Sequence, residues 1–166
     1  MTRWTRFQVL ALASAIGAFA LMVAGGLVAE TGSGLGCPDW PLCHGTLVPN
    51  FGDVATAIEW THRVIAESVG LLVLVTMVFA WRDRRDDRRI LFAATATFVL
   101  VVVQAALGGI VVLSGLVAAL IVVHLAVASA FFALAVTTSI LAFVVPPAPA
   151  ASRPAKAVAG NEASGH

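Results

Sequence analysis

Four apolar runs, each longer than the ~20 residues a helix needs to cross a bilayer, leave this chain few folds to choose from. They cover about 7–29, 54–81, 90–113 and 116–145. Composition agrees: 60% of the residues are hydrophobic and 11% charged, where a soluble domain carries about 25% charged residues. The expected fold is all-α, a polytopic membrane four-helix bundle. Pro146-Pro147 stops the last run, and the Ala-, Pro- and Ser-rich segment 146–166 is expected to be a disordered tail. The first run leads through Ala29-Glu30-Thr31 into a Gly-rich loop with no cleavage pattern, so it is expected to stay as a helix.

Orientation follows from where Lys and Arg lie. Arg3 and Arg6 precede the first helix, Arg82, Arg84, Arg85, Arg88 and Arg89 crowd the second connection, and Arg153 and Lys156 lie in the tail. The first loop, 30–53, has neither Lys nor Arg. Both termini and the Arg-rich turn are therefore expected to be cytoplasmic, and the first loop to face outward from the cell membrane. The arginine run reads as a topology signal and solvated turn, and a net charge of +1 gives no sign of a nucleic-acid partner.

Within the second run, Ile58-Glu59-Trp60-Thr61-His62-Arg63 places charge where each ionisable group costs roughly 2.5–3.5 kcal/mol on insertion scales. Glu59 and His62 share a helix face. Arg63 is spaced to pair with both Glu59 and Glu67. With Asp53 as the N-cap, and Thr56 with Glu59 as a rival capping box, His62 lies ~13 Å along its helix. His124, counted from Leu116, lies about 12 Å along the fourth, and Gln104 about 15 Å from the same end of the third. Three polar side chains on three helices thus occupy nearly one level.

Two histidines at matched depth suit one planar macrocycle with imidazole on its iron. The small residues Ala66, Gly70, Gly108, Gly109, Ala126 and Ala128 would leave room for the ring. The plainer reading of His124 is an interhelical hydrogen bond, and zinc lacks a third or fourth ligand nearby in sequence. Trp40 and Trp60 could stack on a cofactor or simply mark an interface. Cys37 and Cys43 fall in the loop expected to face outward, where disulfides persist; a structural staple is the simpler reading, a working redox pair the alternative. His44 reads as a surface residue. The halves echo one another, Gly25-Gly26-Leu27-Val28 against Gly108-Gly109-Ile110-Val111, as an old two-helix duplication would leave them.

The run Thr31-Gly32-Ser33-Gly34-Leu35-Gly36-Cys37-Pro38-Asp39-Trp40-Pro41-Leu42-Cys43-His44-Gly45, the pattern Glu59-x-x-His62-Arg63, the segment from Gln104 to Leu116 and His124-Leu125 together resemble heme A synthases. The resemblance implies oxidation of the C8 methyl of heme O to a formyl group by successive hydroxylations, giving heme A for cytochrome c oxidase. It implies His62 and His124 as heme-iron ligands, Glu59 as the residue required for activity, and a Cys37–Cys43 disulfide. Arg63 and Gln104 are expected to contact the cofactor. Heme b is the expected cofactor and heme O the substrate. Heme O synthase and oxidase assembly factors are the expected partners besides the lipid bilayer. Members of that family are commonly twice this length, with similar halves for substrate heme and heme b, so a homodimer is expected here. Many relatives also carry Arg where this chain has Ala29-Glu30. Glu59 could relay protons or stabilise a developing cation. The rivals are a bis-histidine electron-transfer cytochrome, a heme-handling assembly subunit without catalysis, and a thiol oxidoreductase, which ordinarily needs a second cysteine pair.

Overall fold

The computed structural model describes residues 4–146, so the expected tail lies almost wholly outside the described residues. Four helices account for most of it: α1 (Arg6–Glu30), α2 (Val54–Asp83), α3 (Arg88–Leu113) and α4 (Ala118–Val144). All four are long and apolar enough to cross a membrane, and the fold is all-α. Each helix packs on its neighbours in sequence, and α4 closes the ring against α1. The α1–α2 connection and the short α3–α4 turn share one end of the bundle, the loop end. The arginine-rich turn lies at the other.

Side-chain chemistry sets the helix starts. Thr5 and Gln8 form a capping box on α1, and Asp53 accepts from Thr56 N at 3.1 Å to start α2. Asp87 accepts from the amides of Arg89 and Ile90, so α3 begins at Arg88, earlier than the apolar run suggested. At the other end of α3, Gly115 (φ +71°) and Leu116 (φ +63°) are both left-handed. The chain therefore turns through Leu116, and α4 starts at Ala118, two residues later than expected. The second connection is only partly solvated. Arg84 is buried, donates from Nη2 to Val145 O and lies over the Phe7 ring, so it caps the end of α4.

Lipid is as apolar as leucine, so membrane helices associate through close packing and polar contacts between them. Two packed clusters do this here. Phe7, Ala11, Ala80, Ile90, Ala94 and Ala142 fill the arginine-rich end. Ala18, Leu21, Val69, Val73, Val101, Phe131 and Ala135 fill the middle. Ser14 and Thr76 join α1 to α2 at 2.8 Å, and Thr97 and Thr138 join α3 to α4 at 3.2 Å.

These buried residues fall in register. Phe7, Ala11, Ser14, Ala18 and Leu21 correspond at one constant spacing to Ile90, Ala94, Thr97, Val101 and Gln104. Val69, Val73, Thr76 and Ala80 correspond at another to Phe131, Ala135, Thr138 and Ala142. The α1–α2 and α3–α4 pairs are therefore two copies of one packing unit, with hydroxyl pairs and core positions matched.

The loop lies tightly on this frame. A Cβ on Gly36 would stand 2.3 Å from Ala55 O, a backbone atom that cannot swing aside. Gly36→Ala should therefore lower stability by about 1–3 kcal/mol, as overpacking does, read as a fall in the thermal unfolding midpoint in detergent. Gly26→Ala, with open space around that position, should leave it unchanged.

Candidate functional site

Above the middle cluster the repeat places its two histidines. His62 of α2 lies against Gly25 of α1, where an added Cβ would stand 3.3 Å from His62 Cε1. His124 of α4 lies against Gly108 of α3, where the corresponding distance is 3.4 Å. Each imidazole thus rests on the bare backbone of the partner helix in its own pair. Both side chains are half-buried, and the Nδ1 of each is buried without a hydrogen-bond partner. The middle cluster reaches toward this level through Leu21, with Ile65 and Ala66 packed against it, and α4 has no buried residue between Ile121 and Ala130.

The two copies differ in what surrounds the ring. Gln104 stands in α3 where Leu21 stands in α1. Its Nε2 lies 3.0 Å from both His124 Nε2 and His124 O. A carbonyl can only accept, so this end of the amide is the NH2, and His124 Nε2 must accept as well. The ring proton of His124 therefore sits on Nδ1. Gln104 Oε1 is left buried and unpaired. Leu21 can offer His62 nothing comparable, but His62 has Glu59 and Arg63 beside it, where α4 has Ile121 and Leu125.

Glu59 is 5% exposed, and its Oε1 accepts from Arg63 Nε at 2.9 Å. The remaining guanidinium donors do not reach Glu67, contrary to the pairing expected from spacing; Glu67 is exposed. They go to the loop. Nη1 donates to Asp39 O at 2.7 Å and Leu42 O at 2.8 Å, and Nη2 to Cys37 O at 2.8 Å. Arg63 is therefore a clamp on the ring closed by the Cys37–Cys43 disulfide, whose cysteines are both buried.

Other contacts fix the same ring. Asp39 accepts from the amides of His44 and Gly45, each at 2.7 Å. His44, exposed as expected, donates from Nε2 to Gly36 O at 2.9 Å, and Thr56 Oγ1 donates to the same carbonyl. Trp60 Nε1 donates to Leu47 O. Trp40 lies on Gly109 of α3, where a Cβ would come within 2.7 Å of its indole. Gly109 was expected to leave room for a cofactor ring; Trp40 takes that room instead. Gly108 and Gly25 are filled by imidazoles, and Ala126 is exposed.

A family model described as cytochrome oxidase assembly protein (COX15-CtaA) matches residues 8–161. The chain belongs to this family. Among its relatives, heme A synthase of Alkalihalophilus pseudofirmus is 31% identical over 139 residues, 83% of this chain and 47% of that protein. Heme A synthase of Bacillus mycoides is 32% identical over 137 residues, 82% and 44% respectively. That of Bacillus licheniformis is 33% identical over 124 residues, 74% and 41%. The chain spans less than half the length of these relatives. Family and helices together make it a multi-pass membrane protein.

Of the residues singled out in the sequence, the structure groups His62 with Glu59 and Arg63, and His124 with Gln104. It joins Cys37 to Cys43 and leaves Glu67 outside the group. Sequence reasoning passed over Asp39, Thr56 as a loop anchor, and Gly36. The signal available was Gly and Asp at fixed places in a short ring, which marks a constrained turn but not what it leans on.

Asp39 provides a pH test. The Gly45 amide, with that of His44, holds its carboxyl below the ordinary value of 3.8. A lowered carboxyl stabilises the fold fully above the unfolded value, and that stabilisation is lost as pH falls through the folded one. The loop should therefore become more open to protease below about pH 4. Asp39→Asn should remove this pH dependence while being more readily cleaved at neutral pH.

Proposed function

We propose that this chain is a heme A synthase: it binds heme between His62 and His124 and oxidises the C8 methyl of heme O to the formyl group of heme A. The observation that carries the reading is the asymmetric pair. Two imidazoles stand at one level on two helices, each with an unpartnered Nδ1, and a buried carboxyl, Glu59, stands one turn from only one of them.

The residues present fit a heme. Gly25 and Gly108 let the Cε1 edge of each imidazole approach helix backbone, His62 has a buried ring nitrogen free of partners, and His124 would turn its Nε2 from Gln104 to the iron. Among the described residues no three His, Cys, Asp or Glu side chains converge, so an iron here would bring most of its ligands with it, as porphyrin iron does. His62 and His124 would hold the group, and bound heme supplies redox-active iron. Gln104 stays beside His124 through its bond to the His124 carbonyl. Glu59 is positioned to accept or return a proton beside His62, and its bond to Arg63 keeps the carboxylate in place.

The chain works as a homodimer in this reading, in the cell membrane with the cysteine loop outward and both termini cytoplasmic. One feature supports a second copy: Glu67 is exposed on α2 within an apolar span, where an uncovered charge is costly. Heme b as a resident cofactor, heme O synthase and oxidase assembly factors as partners belong to the same proposal. The family description supports a second reading, a heme-handling assembly subunit without catalysis.

Glu59 separates the two. Purified Glu59→Gln should retain heme by its absorption spectrum and lose heme O conversion by at least about a hundredfold, the lower range for a general acid–base group. His62→Ala and His124→Ala should each lose heme. Conversion undiminished in Glu59→Gln would exclude the catalytic role. Native mass spectrometry should give a dimer, and an active monomer would exclude the homodimer.

A further inference from the structure

Two half-buried imidazoles whose Nδ1 atoms have no partner depend for their position on what grips their helices. The middle cluster reaches toward the histidines through Leu21, and the contacts His62 on Gly25, His124 on Gly108 and Gln104 on His124 each lie within one helix pair. The cysteine ring supplies the missing brace. One side is tied to α2 by Arg63, the residue after His62, through three carbonyls. The other side rests on α3 through Trp40 on Gly109, the residue after the glycine beneath His124.

We propose that Trp40 and Arg63 are positioning residues for the two histidines, holding the Cys37–Cys43 ring as a strut from the helix of His62 to the glycine seat of His124. The repeat sharpens the point. Gly25 and Gly108 both carry an imidazole, but of the glycines that follow, Gly109 carries Trp40 and Gly26 has nothing within 4 Å. The α3–α4 turn is too short to reach back over α1 as the α1–α2 loop reaches over α3. The strut exists once, and it crosses from the Glu59 side to the Gln104 side.

The inference rests on the heme reading for its purpose but is measured on the histidines themselves. Full-length chain labelled with 15N-histidine is purified without added heme, His62→Ala and His124→Ala assigning the ring signals. Trp40→Ala and Gly109→Ala should both shift the His124 nitrogen signals, and Trp40→Phe should restore them. Arg63→Gln should shift His62 and speed reduction of the disulfide by dithiothreitol at least about tenfold, since each hydrogen bond to a charged donor that is lost contributes on the scale of a tenfold change. His124 signals in Trp40→Ala that superimpose on those of the unaltered chain would overturn the proposal, as would a Trp40→Phe protein no closer to it than Trp40→Ala. If Trp40→Ala fails to fold, Gly109→Ala decides alone, because it displaces the indole without removing it. Heme retained by both histidine variants while Trp40→Ala moves His124 would sink the heme reading and leave the strut standing.

Discussion

A guanidinium about ten residues into an apolar helix needs partners for most of its five donors, because neither lipid nor a packed core supplies them. Arg63 solves this with one carboxylate and three backbone carbonyls. The consequences spread in both directions. Toward the bundle, the bond gives Glu59 a cation, so a carboxyl can be buried beside His62. Toward the loop, the three carbonyls can converge only if the chain from Cys37 to Leu42 is curled, and the disulfide closes that curl. Removing one partner from such a group is costly, about 3–5 kcal/mol for a buried pair, so loop, carboxyl and helix are held as one unit.

The doubled frame explains why this unit sits where it does. Both helix pairs use the same register of small core residues, the same hydroxyl pair and the same glycine under the histidine. That arrangement gives two equivalent imidazoles at one depth. Chemistry enters where the copies diverge: Glu59 and Arg63 against Ile121 and Leu125, and Leu21 against Gln104. One histidine is left beside a buried carboxyl, and the other is held by an amide. On the proposed reading, that division separates the reacting side of a heme from its anchored side.

Much of the site was legible in the chain. Charge inside an apolar run marked Glu59, His62 and Arg63, because an ionisable group in a membrane helix is expensive. Helical rise placed Gln104 and His124 near one level, and their 3.0 Å contact brings them together. The expectation for Arg63 was half right. Spacing along a helix says which carboxylates are within reach, but not that a distant loop will compete for the same donors. Gly109 misled for a related reason: a glycine advertises space, and sequence does not say which neighbour fills it.

By itself, then, the sequence determined four membrane helices, the start of α2 at Asp53, and the presence of a charged level within them. These depend on length, hydropathy and local hydrogen bonding, which act over a few residues. Only the tertiary structure decided that the α1–α2 loop leans on α3 through Trp40, that Arg63 turns from Glu67 to the cysteine ring, and that Gln104 fixes one histidine while the other has none. Those outcomes are competitions among groups far apart in the chain, and they are resolved only when packing brings the competitors together.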